Sequence, residues 1–417
     1  MVLRHWAVIV LLCVVGSACG GPTAQVTART PMQEALALRD QGRLAEAEAA
    51  LLLLAQSGDR QAELALAETW LLRGQHLRAV DLLRPRQEAA PDDAEVARLL
   101  AQALDGAGLH KEAIALYARR LRLRPDDAEA AERLAMLLVE AGEWVAATDV
   151  AMASLKRHPN RPGLHLAASR AWLGRGRLPI ALDHAQRATE SANQSSDAWL
   201  QLGRVLLAQG ELVLAGQALE KCVALDGQHP EALVELAWVM LQQGDSQRAR
   251  QLLLRAQKVA PDLPQVWLVL AAVRRHDKDL VGALAALEQA IPLAPRDGRI
   301  PLQAADVALE LGFAGLAVQH AASARKRLAA QRASDVELAD AARFHARTIV
   351  VAVIAEALCK RGDKVSAIEA AAAAALTAAD LSQYIVEIAR LADEASAAIV
   401  VARDRCKNPR QARPETP

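Results

Sequence analysis

The chain has 417 residues with 49 basic and 49 acidic side chains, so it carries no formal net charge. That removes the electrostatic case for nucleic acid, which needs a clustered excess of Lys and Arg. Hydrophobic residues make up 53% and aromatic residues only 3%, a composition that builds a core from Ala and Leu and suits closely packed helices rather than a sheet.

The first predicted element is a secretion signal over residues 1–18. Arg4 and His5 precede an apolar run from Trp6 to Val15, followed by Gly16-Ser17-Ala18-Cys19. A charged start, a short apolar middle and small residues at the end are the marks of such a signal, and the run is short for a membrane span. Cleavage before Cys19 resembles bacterial lipoprotein processing, which implies lipidation of Cys19. The lipoprotein box prefers Leu three residues before the cysteine, where Gly16 stands here, with Val15 one earlier. The alternative is ordinary cleavage after Ala18, which leaves a soluble periplasmic protein. Gly20 in place of Asp favours the outer membrane over inner-membrane retention, by the same resemblance. Residues 19–31 are polar with Gly, Pro and Thr and are expected to form a flexible tether.

From 32 to 328 the chain repeats. The pattern Gly-x-x-x-x-Ala occurs at Gly42–Ala47 and Gly74–Ala79, and then at a spacing of 34 at Gly108–Ala113, Gly142–Ala147, Gly176–Ala181, Gly210–Ala215 and Gly244–Ala249. At the next step Lys278 replaces the glycine while Ala283 keeps register, and Gly312–Ala317 restores both. A period of this length, repeated this often, means stacked supersecondary units.

Residues 92–125 show what one unit is. The run from Ala94 to Leu104 has helix formers and apolar residues at helical spacing, with Asp92 or Asp93 placed to cap its start. Gly106 and Gly108 end it, a second amphipathic run spans Lys111 to Arg122, and Pro125 closes the unit. The spacing therefore predicts a helical hairpin. Seven positions before each turn stand small residues: Ala67, Ala101, Ala135, Ser169, Gly203, Ala237, Ala271 and Ala305. Leucines one position earlier, such as Leu66, Leu100 and Leu134, are placed as knobs into the neighbouring hairpin.

The register is similar to that of the tetratricopeptide repeat (TPR). The favoured residues of that family stand at Trp199, Leu202, Gly203, Gly210, Ala215 and Leu219 in one unit, and at Trp267, Leu270, Ala271, Ala283, Leu287 and Ala290 in another. The departures are Lys278, Arg86 and Arg120 at a small position of the second helix, and an insertion after Ala317. The resemblance implies an all-α fold, a right-handed superhelical solenoid of stacked hairpins with a C-terminal capping helix. It also implies a concave groove lined by the first helix of each hairpin. Six and ten positions before the turns, this assigns Arg98, Gln102, Met136, Arg170, Leu200, Arg204, Val234, Trp238 and Leu268 to a partner groove. Trp238 and Leu200, near Arg170 and Arg204, are expected to form an anchor patch with charge for orientation. The Lys and Asn pair with which chaperone-tail-binding TPR domains clamp a terminal carboxylate is not matched at these positions.

After Ala317 the phase breaks and returns loosely at Gly362–Ala367. Residues 329–403 are expected to hold an irregular TPR-like unit and capping helices, since the open end of a solenoid must be covered. Residues 404–417 are expected to be a disordered tail.

Little in the sequence points to catalysis. Cys222 falls at a small core position and reads as a buried hydrophobe. Cys359 and Cys406 are the remaining candidates for a disulfide, with Cys406 in the tail, so pairing is not expected. The histidines show no metal spacing, and Gly174-Arg175-Gly176 occupies a hairpin turn without the strand of a phosphate loop. No cofactor and no metal are expected, and the chain is read as not an enzyme. The functional expectation is a periplasm-facing TPR scaffold, anchored at the outer membrane. It would bind protein partners of the cell envelope, by analogy with TPR lipoproteins that assemble pilus secretins or exopolysaccharide export channels. The alternative is a carbohydrate- or cell-wall-associated protein, for which Trp238 and Trp144 are the tryptophans left free by the usual TPR packing positions.

Overall fold

The computed structural model describes residues 30–330, and within them 18 helices follow one another without a strand. The expected signal, Cys19, the insertion beyond Ala330, Cys359, Cys406, the capping helices and the tail lie outside the described residues. The chain divides into two compact units, one ending at Pro125 and one beginning at Asp126.

The first unit contains α1 (Pro31–Asp40), α2 (Leu44–Gln56), α3 (Arg60–Leu72), α4 (His76–Ala89), α5 (Ala94–Gly106) and α6 (His110–Leu123). Thr30 opens it with a capping box, its hydroxyl accepting from Gln33 while the Gln33 side chain accepts from the Thr30 amide. The second unit contains α7 (Ala128–Glu140), α8 (Trp144–Leu155), α9 (Pro162–Gly174), α10 (Leu178–Ser191), α11 (Ser196–Gln209) and α12 (Leu212–Leu225). It continues with α13 (Pro230–Gln242), α14 (Ser246–Val259), α15 (Pro264–His276), α16 (Leu280–Leu293), α17 (Arg299–Glu310) and α18 (Ala314–Ala330). In both units the helices pair as hairpins, each with a turn at the residue that the repeat predicts.

The turn explains why that position favours glycine. Gly42, Gly74, Gly108, Gly142, Gly176, Gly210, Gly244 and Gly312 all have φ between 69° and 86°, which costs a Cβ-bearing residue energy but costs glycine none. At Gly108 the amide donates to the Asp105 carbonyl at 3.0 Å and Leu109 donates to the Leu104 carbonyl at 2.8 Å, the double closure of a Schellman cap. Lys278 adopts the same conformation with φ 64°, alone among the described non-glycine residues. Its amide donates to Arg275 and that of Asp279 to Arg274, at 3.0 and 2.8 Å. The turn therefore survives the missing glycine.

The small residues mark where helices meet. Ala47, Ala79, Ala113, Ala147, Ala181, Ala215, Ala249, Ala283 and Ala317 are all fully buried, as are Ala67, Ala101, Ala135, Ser169 and Ala237 on the facing helices. A Cβ added at Gly203 would lie 2.7 Å from Leu219 Cγ, inside van der Waals contact. Ser169 adds a polar link, donating to the Ala181 carbonyl at 2.9 Å across the α9–α10 hairpin and accepting from Gln201 at 3.1 Å. Cys222 is buried and free, and burial pushes its thiol up to about 12, so it is the inert hydrophobe expected of it. The second helix of the last described hairpin, α18, runs 17 residues where the other second helices run 12–14. Among the described residues no helix is long and apolar enough to cross a membrane.

Candidate partner-binding surface

The first helix of each hairpin carries two register positions, six and ten residues before the turn, and the structure shows what each can present.

In the first unit these positions hold Glu68 on α3 and Arg98 and Gln102 on α5. Glu68 accepts from Arg39 at 2.7 Å and from Arg98 at 2.9 Å, so one carboxylate is shared by two guanidinium groups. Arg98 also reaches Gln102 Oε1 at 3.4 Å. These side chains, with His76 and Leu72, line an open cleft of about 560 Å³. Arg98 and Gln102 are thus brought together, but the charge of Arg98 is already engaged with Glu68.

In the second unit the row six before the turn runs Met136, Arg170, Arg204 and Trp238 on α7, α9, α11 and α13. The first three are half-buried, whereas Trp238 is 40% exposed. The row ten before the turn departs from expectation. Leu200 is 1% and Val234 4% exposed, and both belong to the hydrophobic core that runs from α11 to α18. They offer a partner no surface. The position sits where the helix passes from core to open face, and on α11 and α13 it turns inward. Leu268 is half-buried and packs against the same core.

The two arginines of this row differ sharply. Arg204 donates from Nε to Glu235 and from Nη2 to Glu231, each at 2.6 Å. Burial alone would lower its pKa, but the two carboxylates outweigh that and raise it. Glu235 is pushed the other way: burial raises its carboxyl above the usual range despite Arg204. Arg170, one hairpin earlier, has its Nε closed off from solvent and without an acceptor. Burial first, then the Arg204 charge, lower its pKa.

A third feature carries no motif in the sequence. His165 on α9 and His184 on α10 are buried and face each other, Nδ1 to Nδ1, at 3.0 Å. His165 Nε2 lies 2.8 Å from the Pro159 carbonyl, which can only accept, so Nε2 carries the proton. In the neutral pair His165 Nδ1 is then the acceptor and His184 Nδ1–H the donor. The signal was available: the two positions, eleven before and eight after the turn, hold Leu233 and Leu252 in a later hairpin. Trp144 also differs from expectation. It is half-buried, and a Cβ on Gly174 would meet its ring at 2.5 Å, so it packs on that glycine instead of standing free. Among the described residues no group of three or more His, Cys, Asp and Glu is placed to hold a metal ion.

Comparison with known proteins agrees with the hairpin geometry. A tetratricopeptide-repeat family model matches residues 98–162 and 166–230, and a second model of the same description matches 206–273. The chain therefore carries tetratricopeptide repeats. No protein with a curated description matches. Among solved structures, the APC/C hetero-tetramer Cut9–Hcn1 is similar with a TM-score of 0.53 at 19% identity, over 76% of this chain and 63% of that one. This chain thus spans less than two thirds of the length of that relative. The human IFIT1 dimer with m7Gppp-AAAA is similar with a TM-score of 0.53 at 14% identity, over 77% of this chain and 81% of that one. At these identities the likeness is one of fold.

Proposed function

We propose that this tetratricopeptide-repeat chain is a non-enzymatic scaffold that holds protein partners against the first helices of its hairpins. We place it in the cell envelope, facing the periplasm and held at the outer membrane by a lipid on Cys19, where it helps assemble a pilus-secretin or exopolysaccharide-export machine. A fold alone does not fix a function, so the reading rests on a site. The observation that carries it is Trp238. It is a large aromatic side chain 40% exposed, in a row whose other members are half-buried. Aromatic anchors of this kind, set beside charge, are where binding energy concentrates in protein interfaces.

The carbohydrate reading has less support. Sugar polymers favour a series of exposed rings, and with Trp144 packed on Gly174, Trp238 is the one exposed tryptophan among the described residues.

The test is Trp238→Ala in the full-length chain. Loss of partner binding with the circular-dichroism helicity unchanged supports the reading, and unchanged binding sinks it. The anchor is tested separately by metabolic labelling with a radioactive fatty acid. Incorporation that disappears in Cys19→Ser supports lipidation, whereas a protein that is never labelled and is released in soluble form supports ordinary cleavage after Ala18.

A further inference from the structure

Arg170 and Arg204 occupy the same register on α9 and α11, yet only one has its counterion. Arg204 is held by Glu231 and Glu235 at 2.6 Å. Arg170 has a buried Nε with no acceptor, and no carboxylate forms an ion pair with it among the described residues. Glu140, Asp197 and Glu231 act on it only at longer range, and Arg204 repels it. A guanidinium does not give up its proton at any ordinary pH, so the charge stays where it is. A cation partly withdrawn from water without a paired anion is unfavourable, and the arrangement makes physical sense if the anion arrives with a ligand.

We propose that Arg170 is the recognition point for an Asp or Glu side chain of a partner polypeptide lying along α9, α11 and α13, with Trp238 receiving an apolar side chain of the same segment. The proposal rests on the protein-binding reading above. The surrounding charge selects the ligand. Glu231 and Glu235 already face Arg204, and Asp197 adds a further negative charge nearby. Asp197, Glu231 and Glu140 lie within electrostatic range of Arg170 and oppose any anionic ligand, so a singly charged carboxylate meets less repulsion there than a phosphate dianion. A guanidinium fork also matches a carboxylate in a bidentate pair, which gives orientation as well as attraction.

The experiment uses the full-length chain and three fluorescent peptides. The first is an acetylated, amidated peptide alternating Glu and Leu; the second has Gln in place of Glu; the third is the Gln peptide with a free C-terminal carboxylate. Fluorescence anisotropy should show the Glu peptide binding about tenfold tighter than the amidated Gln peptide, the size expected of one charge-assisted pair. In Arg170→Gln this preference should fall to near one, with the melting temperature no lower than that of the wild type. An arginine with a purely structural role would instead lower the melting temperature and leave the preference intact, and that result overturns the proposal. So does equal binding of the Glu peptide and the free-carboxylate Gln peptide, which would make the ligand a chain terminus, and so does failure of every peptide to bind. Trp238→Ala separates this proposal from the groove reading. If it weakens all peptides alike while Arg170→Gln keeps the preference, the groove stands and the role of Arg170 falls. If it changes nothing while Arg170→Gln abolishes the preference, Arg170 stands and the Trp238 anchor falls.

Discussion

His165 Nδ1 and His184 Nδ1 lie 3.0 Å apart between α9 and α10, at positions where the other hairpins place mostly apolar residues. With His165 Nε2–H committed to the Pro159 carbonyl at 2.8 Å, the buried contact holds one shared proton and has room for no other between the rings. Burial first, and then His165, lower the pKa of His184, while Asp183 on the same helix acts in the opposite direction and Arg187 reinforces the shift.

The consequence for stability follows from linkage. The folded-state pKa of His184 is depressed below its unfolded value of about 6.5, so folding favours the neutral ring. Its contribution is complete above that pH and is lost as the pH falls from there toward the folded-state pKa. His320, also lowered by burial with Glu288 opposing, changes stability in the same direction. Urea denaturation between pH 7.5 and 5.5 should therefore show a falling midpoint. In His184→Gln, which keeps a donor for His165 but does not titrate, the fall should be smaller. An equal fall in both proteins would contradict the assignment.

Lys278 predicts a gain. Its φ of 64° lies in the left-handed region that glycine occupies at the other repeat turns. Lys278→Gly should stabilise the second unit by about 0.5–1 kcal/mol, the steric relief partly offset by the greater chain entropy of glycine in the unfolded state. The check is the denaturation midpoint. A loss of stability would mean that the Lys278 side chain contributes more than the turn costs.

Gly203 predicts a loss. A Cβ there meets Leu219 Cγ at 2.7 Å, in the middle of the α11–α12 hairpin. Gly203→Val should cost about 2–3 kcal/mol by overpacking, more than any gain in helix propensity returns. Thermal unfolding followed by circular dichroism measures it.

Arg204 and Trp238 should separate cleanly. Removing Arg204 leaves Glu235 half-buried without its 2.6 Å partner. Arg204→Ala should therefore destabilise by about 2–3 kcal/mol, below the figure for a fully buried pair because both groups keep some solvent contact. Trp238, 40% exposed, should cost less when changed to Ala, about 1 kcal/mol, because much of its ring already meets solvent. Parallel denaturation of the two variants checks this, and similar losses would mean that Trp238 is a core residue.

How much of this was legible in the sequence depends on which kind of position is asked about. The turn glycines and the small residues were readable because each has a single local cause: a positive φ, or two helices in contact. Lys278 was placed at a turn from register alone, and it adopts the turn conformation. Leu200 and Val234 were misplaced because they sit where the helix passes from core to surface, and a count from the turn carries no information about how far a given helix rotates inward. The packing of Trp144 is invisible in the spacing because its contact, Gly174, belongs to a different hairpin. The His165–His184 pair leaves no signature of metal spacing on one helix, because the contact joins two helices. The missing counterion of Arg170 depends on which neighbouring carboxylates reach which guanidinium, which is set by the packing of α9 against α11 and not by spacing along the chain.

Whether partners are held on the first-helix row of the second unit can be read by replacing Trp238 with a photo-activatable amino acid in the full-length protein, in the cells that make it, with Lys221, exposed on the second helix α12, as the comparison position. Light should produce a discrete protein adduct from position 238 and none of the same mass from position 221. Adducts from position 221 alone, or an adduct at 238 that carbohydrate-degrading enzymes remove, would mean that this row does not hold a protein partner.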